Sequence, residues 1–236
     1  MAIRAVIFDL DNTLLETDDS ARIALERTLD YLDLGPEVRR AAYECYQSTY
    51  VSEERAAHTG RGPRSAYELR RRAWEAVLAH LGLPVERATE FVARYARERR
   101  QRYRLYDEVP AVLADVAARY PTALLTNGFA DVQVEKVETV ALRRWIPHVF
   151  VSAEIGAWKP AAEAFTSVLA ELGVPAEAAV MVGDSPTNDV AGAMALGIRA
   201  VWVNRRRHPQ PDGVRPAATI ADLRPLPSLL ADWDRH

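Results

Sequence analysis

The sequence predicts an α/β protein, a doubly wound parallel sheet with a block of helices inserted after its first strand. Short apolar runs without polar alternation recur along the chain, as is typical of strands that are covered on both faces of a parallel sheet. Segments of helical periodicity separate most of these runs, which gives the strand–helix–strand order of such a sheet. Residues 17–104 break this order, because they contain amphipathic helical stretches and no convincing strand.

Five apolar runs are predicted to form the sheet. They are Ala5–Phe8, Ala123–Leu125, His148–Ser152, Ala179–Val182 and Ile198–Val203. The helices of this part of the chain are predicted at Val109–Arg119, Asp131–Val140, Pro160–Leu172 and Asp189–Leu196, with a short closing helix near Leu226–Trp233. The segment rich in Arg and Pro from Arg205 to Pro227 is predicted to be a surface loop.

The inserted block is predicted to be a helical bundle. Its amphipathic stretches are Ser20–Leu32, Glu37–Ala57, Ser65–Leu81 and Val85–Arg104, and short breakers that contain Gly and Pro separate them. We therefore divide the chain into an α/β core, residues 1–16 and 105–236, and a helical domain, residues 17–104.

Charge and cysteine content exclude several classes of protein. The 30 basic and 33 acidic residues give a net charge of −3, which does not suggest a nucleic acid polymer as partner. Cys45 is the only cysteine, so the chain can form neither an intrachain disulfide nor a thiolate metal cluster. Because no signal-peptide pattern and no apolar run of membrane-spanning length is present, we expect a cytoplasmic protein with no membrane partner, either a monomer or a homodimer.

Polar side chains follow the predicted strands at the edge where open α/β sheets bind ligands. They are Asp9, Asp11 and Thr13 after the first strand, Thr126 and Asn127 after the second, and Asp184, Ser185 and Asp189 after Ala179–Val182. Lys159, one of only two lysines in the chain, follows the run His148–Ser152 in the segment GAWKP. Singly, each is a common turn or cap residue. Together, at one edge, they supply the parts of one reaction.

That reaction is phosphoryl transfer. Asp9, Asp11 and Asp184 offer the hard oxygen ligands that Mg²⁺ prefers. A carboxylate nucleophile divides ester hydrolysis into formation and breakdown of an acyl phosphate. A second carboxyl two residues away can protonate the leaving group and later activate water. The candidate phosphate ligands are Thr126, Asn127 and Lys159.

Four motifs in this order closely resemble those of the haloacid dehalogenase superfamily. They are DLDNT (Asp9–Thr13), TNG (Thr126–Gly128), KP (Lys159-Pro160) and GDSPTND (Gly183–Asp189). The resemblance covers nearly the whole chain. It implies a Rossmann-like core and a Mg²⁺-dependent hydrolase whose partner is a small phosphorylated metabolite, such as a nucleoside monophosphate or a sugar phosphate.

The resemblance also implies a role for each motif residue. Asp9 falls on the nucleophile that becomes phosphorylated, and Asp11 falls on the general acid and base. The metal ligands would be Asp9, Asp184 and the backbone carbonyl of Asp11, with Asp189 supporting the metal shell. The family's phosphate-binding threonine and lysine fall on Thr126 and Lys159.

Two further features are similar to one branch of that superfamily. The inserted helices resemble a C1 cap, a lid that excludes water and contributes specificity. The sequences around the motifs are LLTNGF, SAEIGAWKP and VMVGDSPTNDVAGA. They are similar to the corresponding sequences of nucleoside 5′-monophosphatases and N-acylneuraminate 9-phosphatases, with phosphoglycolate phosphatases as a further neighbour.

Other functions stay open at this point. A 2-haloacid dehalogenase also uses an Asp nucleophile, but it needs no Mg²⁺ and lacks the second acid, so Asp11 favours the phosphatase. A phosphomutase is possible, although nothing in the sequence marks it. A non-catalytic phosphate-binding or signalling module on the same fold is a third alternative. Signalling receivers, however, are much shorter and lack a large helical insertion.

The arginine clusters are interpreted as solvated surface. Those at 70–72 and 97–104 are assigned to exposed helix faces, with the alternative that one cap arginine meets an anionic group of the substrate. The run at 205–207 is assigned to a charged loop. Phe129, after the TNG turn, is expected either near the leaving group or in packing against the helices.

Overall fold

The structure is a computed structural model that describes residues 2–235. The chain forms two compact units. The α/β unit consists of residues 1–16, 104–128 and 137–236, and the helical unit consists of residues 17–103 and 129–136. The boundaries drawn from the sequence assign residues 129–136 to the core instead, and as a domain assignment they stay a prediction.

The α/β unit is built on a parallel sheet. Its strands are β1 (Ala5–Phe8), β2 (Thr122–Thr126), β3 (His148–Val151), β4 (Ala179–Gly183), β5 (Arg199–Val203) and β6 (Ala218–Ile220). They lie in the order β3-β2-β1-β4-β5-β6, and every pairing is parallel. Phe8 of β1 is in register with Val182 of β4, so the residues that follow these two strands emerge at the same edge. The predicted fold class is confirmed.

The helical unit has a core of its own. Its helices are α1 (Asp18–Leu29), α2 (Pro36–His58), α3 (Ala66–His80) and α4 (Ala88–Arg100), with single 3₁₀ turns at Asp30–Leu32 and Val85–Arg87. Their buried faces meet around Leu25, Trp74, Leu78 and Phe91, none of which is more than 1% exposed. Burying each such side chain contributes about 1.5–3 kcal/mol to stability.

Residues 129–136 belong to the helical unit because they pack on the start of α3. Phe129 is buried with Ala66 and Leu69. The Asp131 carboxylate accepts hydrogen bonds from the backbone N–H groups of Ala66 and Tyr67, both at 3.1 Å, and so caps α3. Phe129 therefore packs against the helices, as one of its two alternatives predicted.

The prediction of exposed arginine clusters in the helical unit is wrong for two residues. Arg70 on α3 and Arg99 on α4 are each only 6% exposed. Both lie over tyrosine rings, Arg70 over Tyr95 and Arg99 over Tyr103. An arginine can bury its planar group in this way, and the sequence pattern does not show it.

The remaining helices are α5 (Val109–Ala117), α6 (Ala130–Thr139), α7 (Ser152–Ile155), α8 (Ala162–Leu172), α9 (Gly192–Met194) and α10 (Leu226–Arg235), with 3₁₀ turns at Leu142–Arg144 and Ala176–Ala178 and a π-helical segment at Pro186–Ala191. Phe165 of α8 packs on one face of the sheet with Ile7, Met181 and Trp202. None of the helices within residues 2–235 is both long and apolar enough to cross a membrane.

Two predicted elements differ from the structure. The segment 205–227 was predicted as loop, but it contains β6, which pairs with β5. At three residues, β6 is too short for a periodic pattern to reveal it. The last predicted helix of the sheet region, Asp189–Leu196, begins earlier, at Pro186, where the Ser185 hydroxyl accepts a hydrogen bond from Asn188 N at 3.2 Å.

Candidate active site

Asp9 is fixed directly after β1 on a tight loop. Its backbone N–H donates to Val182 O of β4 at 2.9 Å. Its carboxylate accepts a hydrogen bond from the Thr13 hydroxyl, which donates to Oδ2 at 3.0 Å. Asn12 makes the turn possible because it adopts a left-handed conformation, with φ of 60°, that asparagine tolerates better than most residues. Asp9 is thus buried, at 6% exposed, with its carboxylate held in one position.

Lys159 joins three elements of the site through its ammonium group. Nζ lies 2.7 Å from Asp9 Oδ1, 2.7 Å from Asp189 Oδ1 and 2.7 Å from Leu125 O. An ammonium group has three donors, and all three are used here. The Lys159 side chain is 2% exposed, so these contacts are made almost entirely out of water.

Asn127 holds the backbone that carries Lys159. Its Nδ2 donates to Lys159 O at 3.0 Å, and its Oδ1 accepts from Lys159 N at 2.9 Å and from the Ser152 hydroxyl at 2.6 Å. These contacts make Asn127 a support for the lysine loop. Its role as a phosphate ligand stays a prediction, although Asn127 also lines the cavity described below.

Three acidic side chains form a cluster beside the lysine. One carboxylate oxygen from each of Asp9, Asp184 and Asp189 lies within 4.8 Å of the others. Asp189 is held by Ser185 N, which donates to Oδ2 at 2.9 Å. The Asp184 carbonyl accepts from Trp202 Nε1 at 2.8 Å. Asp189 was assigned to a supporting role, and in the structure it is as close to Lys159 as Asp9 is.

Burial raises the pKa values of two of these acids, Asp9 and Asp184. Burial raises the pKa of Asp9 from 3.8 to about 7, with Lys159 acting in the opposite direction and Asp189 adding to the increase. The pKa of Asp184 rises to about 8, first through burial and then through the charges of Asp9 and Asp189. The pKa of Lys159 is raised because the two acids that it contacts outweigh the effect of its burial. Groups this perturbed are characteristic of functional sites.

The acids line a small cavity of about 170 Å³. Its other lining residues are the remaining predicted site residues and their neighbours: Asp11, Asn12, Thr126, Asn127, Lys159, Ser185 and Asn188. Buried acids with raised pKa values, such as Asp9 and Asp184, are stabilised in their ionised form by a bound cation. Carboxylate oxygens are the ligands of Mg²⁺, so the residues present fit that ion.

Comparison with known proteins places this site in a family. A model described as haloacid dehalogenase-like hydrolase matches residues 3–197. The chain belongs to this family of hydrolases. The resemblance that the four motifs indicated is confirmed, and with it the prediction that the chain is an enzyme.

Relatives of this hydrolase include phosphatases of known substrate. A phosphoserine phosphatase from Thermus thermophilus is 33% identical, and the match covers 94% of this chain and 97% of that enzyme. The mouse N-acylneuraminate-9-phosphatase is 28% identical, with 98% of this chain and 95% of that enzyme covered. The N-acylneuraminate-9-phosphatase belongs to the branch that the sequences around the motifs resemble.

Solved structures of similar fold include both kinds of hydrolase. A 2-haloacid dehalogenase from Pseudomonas syringae has a TM-score of 0.72 at 27% identity and covers 98% of this chain and 99% of that one. The putative HAD-hydrolase YfnB from Bacillus subtilis, solved with bound magnesium, has a TM-score of 0.75 at 22% identity and the same coverage. The fold is therefore common to dehalogenases and to metal-binding members.

Two supports of the hydrolase site escaped the sequence-based prediction. Ser152 was assigned to the end of a strand, and nothing in its context indicates the hydrogen bond to Asn127. Arg205 lies in a loop, as predicted, but its side chain is only 14% exposed, which the sequence does not indicate. It donates from Nη2 to Thr13 O at 2.8 Å and pairs with Glu108 Oε1 at 2.7 Å. In the sequence Arg205 is one of three consecutive arginines, and nothing distinguishes it as the one that contacts Thr13 and Glu108.

Proposed function

We propose that this hydrolase is a Mg²⁺-dependent phosphatase that cleaves a small phosphate monoester through a phosphorylated Asp9. The proposal rests mainly on one arrangement. The Asp9 carboxylate, buried and held by Lys159 and Thr13, opens on the cavity that Asp11 and Asp184 also line. A nucleophile, a nearby proton carrier and a cation site in one small cavity are the parts that phosphate ester hydrolysis needs.

The first half of the reaction transfers the phosphoryl group to Asp9. A bond forms between an Asp9 carboxylate oxygen and phosphorus, while the bond from phosphorus to the leaving oxygen breaks. Asp11 gives its proton to that oxygen, and the alcohol departs. In the second half Asp11 takes a proton from water, and the water oxygen attacks phosphorus. The bond between phosphorus and Asp9 breaks, which releases inorganic phosphate and restores the carboxylate.

The remaining residues stabilise the charges of the phosphoryl group and of Asp9. Asp9, Asp184 and the backbone carbonyl of Asp11 would hold the Mg²⁺, which when bound stabilises negative charge on the phosphoryl oxygens. Asp189 would support that shell from its contact with Lys159. Lys159 favours the ionised form of Asp9, the form that can attack phosphorus. Thr126, buried at the end of β2 and lining the cavity, is proposed to bind the phosphate together with Asn127 and Lys159.

Dehalogenation is the rival activity, because a dehalogenase shares the fold. Two observations favour the phosphatase. Asp11 supplies a second carboxylate beside Asp9, and the Asp184–Asp189 pair supplies acids that a metal-free dehalogenase does not need. The phosphatase relatives support the same choice. For the substrate we propose a nucleoside monophosphate or a sugar phosphate, and we add phosphoserine and N-acylneuraminate 9-phosphate because relatives carry those names.

The partner is thus a small phosphorylated metabolite, with no nucleic acid polymer and no membrane. We propose a cytoplasmic enzyme that acts as a monomer or a homodimer. The helical unit is proposed to be its C1-type cap.

One assay separates these activities. Release of inorganic phosphate from p-nitrophenyl phosphate and from the proposed substrates is measured with Mg²⁺ and with EDTA, and halide release from 2-chloropropionate is measured in parallel. We expect phosphate release that requires Mg²⁺ and is abolished by Asp9→Asn. Asp212→Asn, an exposed acid in a loop, is the matched control and should keep full activity. Halide release without phosphate release would overturn the proposal.

A further inference from the structure

The helical unit contains a buried cluster that the proposed reaction does not use. It is contributed by α2, α3, α4 and the segment after α4, and each member is at most 7% exposed. We call it the aromatic–arginine cluster: Tyr46, Arg70, Trp74, Tyr95, Arg99 and Tyr103.

The rings and guanidinium groups of the cluster pack in two sets, Tyr46, Trp74, Tyr95 and Arg70 in one and Arg99 over Tyr103 in the other. The Tyr46 ring lies 5.1 Å from the Trp74 ring and 5.6 Å from the Tyr95 ring, measured between centroids. The Arg70 guanidinium carbon lies 5.1 Å from the centroid of Tyr95. Aromatic rings placed in this way hold the guanidinium group in one orientation and form walls around it.

Several polar atoms of the cluster are buried and lack a partner. Among the residues that the structure describes, no hydrogen bond is made by Tyr46 Oη, Arg70 Nε, Trp74 Nε1 or Tyr103 Oη. Leaving a buried polar atom unpaired costs free energy, and folded proteins contain few such atoms. Four of them in a single cluster indicate a group that is bound there.

The charge of the cluster is also uncompensated at Arg70. Within residues 2–235, no acidic side chain forms an ion pair with this guanidinium group. A cation removed from water normally has an anion beside it. The missing component is therefore negatively charged.

We propose that the aromatic–arginine cluster binds the carboxylate group of a small organic acid. The unpaired atoms are N–H and O–H groups, and those of Arg70 and Trp74 can only donate, so the bound group must accept. A carboxylate accepts several hydrogen bonds, carries the missing charge, and matches the planar guanidinium. The aromatic walls suit the apolar part of a small acid.

The binding is tested on the full chain, labelled with ¹⁵N. Lactate and propionate are titrated at constant ionic strength, with lactamide and propionamide as uncharged controls. The reporter is the indole N–H signal of Trp74, identified by its loss in Trp74→Phe. We expect a saturable shift with the carboxylates and none with the amides. No saturable shift with either carboxylate would overturn the proposal.

Substitutions assign the binding to the cluster. Arg70→Met should weaken lactate binding roughly tenfold or more, as expected for the loss of a charge-assisted hydrogen bond. Arg71→Met, which alters a half-exposed arginine on the same helix, is the matched control and should leave the affinity unchanged. Equal affinities in both variants would rule out the site.

If circular dichroism shows that Arg70→Met does not fold, Tyr46→Phe and Tyr103→Phe provide the same test. Each removes a single hydroxyl oxygen from the interior. Both should weaken binding by a few-fold, which corresponds to one lost hydrogen bond. Unchanged affinity in both would again contradict the proposal.

The NMR test does not rest on the proposed phosphatase activity, so the two proposals can fail independently.

Discussion

Lys159 and Asp9 form a buried ion pair, with Nζ 2.7 Å from Oδ1 and only 2% and 9% of the two side chains exposed. The same ammonium contacts Asp189 at 2.7 Å, so one cation serves two acids. Removing charges from water is costly, and such a pair is weak evidence for stability on its own. The pair instead opposes the effect of burial on the pKa of Asp9 and holds its carboxylate in place, as a nucleophile requires.

Lys159→Met should abolish phosphatase turnover and destabilise the protein in a pH-dependent way. Without the ammonium group, Asp9 and Asp189 are left as neighbouring buried acids, and breaking a buried pair costs about 3–5 kcal/mol. Acids can avoid this cost by binding protons, so the loss in the free energy of unfolding should be smaller at pH 6 than at pH 8. Urea unfolding at both pH values without Mg²⁺ measures it. The exposed Arg215→Met is the control, and equal losses at the two pH values would contradict this account.

The stability of the metal-free protein should fall as pH rises from about 4 to about 8. The pKa values of Asp9 and Asp184 are raised from 3.8 to about 7 and about 8, mainly by burial. Between these values the folded state binds more protons than the unfolded state, so the free energy of unfolding decreases with pH. Below pH 4 both states are protonated, and the effect is absent.

One substitution and one addition of metal test whether Asp9 and Asp184 cause this pH dependence. Asp184→Asn should flatten the dependence of stability on pH, since one of the two groups with a raised pKa is gone. Saturating Mg²⁺ should restore stability at pH 8, because it binds the ionised acids of the folded state. Thermal melts across the pH range, with and without EDTA, test both. An Asp184→Asn protein whose pH slope is as steep as that of the unmodified protein would argue against these assignments.

Gly183→Ala should impair catalysis by displacing Asp189. A Cβ atom at position 183 would lie 2.4 Å from Asp189 Cγ and from Oδ2, which is too close for any contact. Asp189 would have to move from Lys159, and a misplacement of about 1 Å can cost about 100-fold in rate. Steady-state kinetics with Mg²⁺ measure kcat. Gly35→Ala is the control, because nothing lies within 4 Å of its added Cβ, and it should keep full activity.

Much of the fold and site was accessible from the sequence for identifiable reasons. The buried strands β1, β2 and β4 are continuous apolar runs, and the polar residues after them reach one edge because parallel strands end together. Burial of a charged side chain, in contrast, could not be predicted from the sequence. Whether Arg70 or Arg205 is covered depends on partners distant in sequence, and a run of arginines looks the same on a solvated surface and in a core. The second kind of failure is β6, a strand that is too short to show a periodic pattern.

Arg205 should act on catalysis through the loop that carries Asp9. Its guanidinium group stacks 3.6 Å from the centroid of the Tyr106 ring, pairs with Glu108 and donates to the Thr13 carbonyl. Thr13 in turn donates to the carboxylate of Asp9. Losing the guanidinium group frees the loop and removes the ion-pair partner of Glu108, and a buried charged group that loses its partner costs about 1–3 kcal/mol.

Arg205→Met is therefore expected to lower kcat by roughly tenfold, which corresponds to about 1.4 kcal/mol, with little change in KM because Arg205 does not line the cavity. Arg205→Lys keeps the charge but loses the planar stacking and the second donor direction, so its kcat should be intermediate. Steady-state kinetics and urea unfolding of both variants measure the two effects, with Arg215→Met as the exposed control. An Arg205→Met enzyme that loses stability but keeps its kcat would show that Arg205 supports the fold alone and that Thr13 holds Asp9 without it.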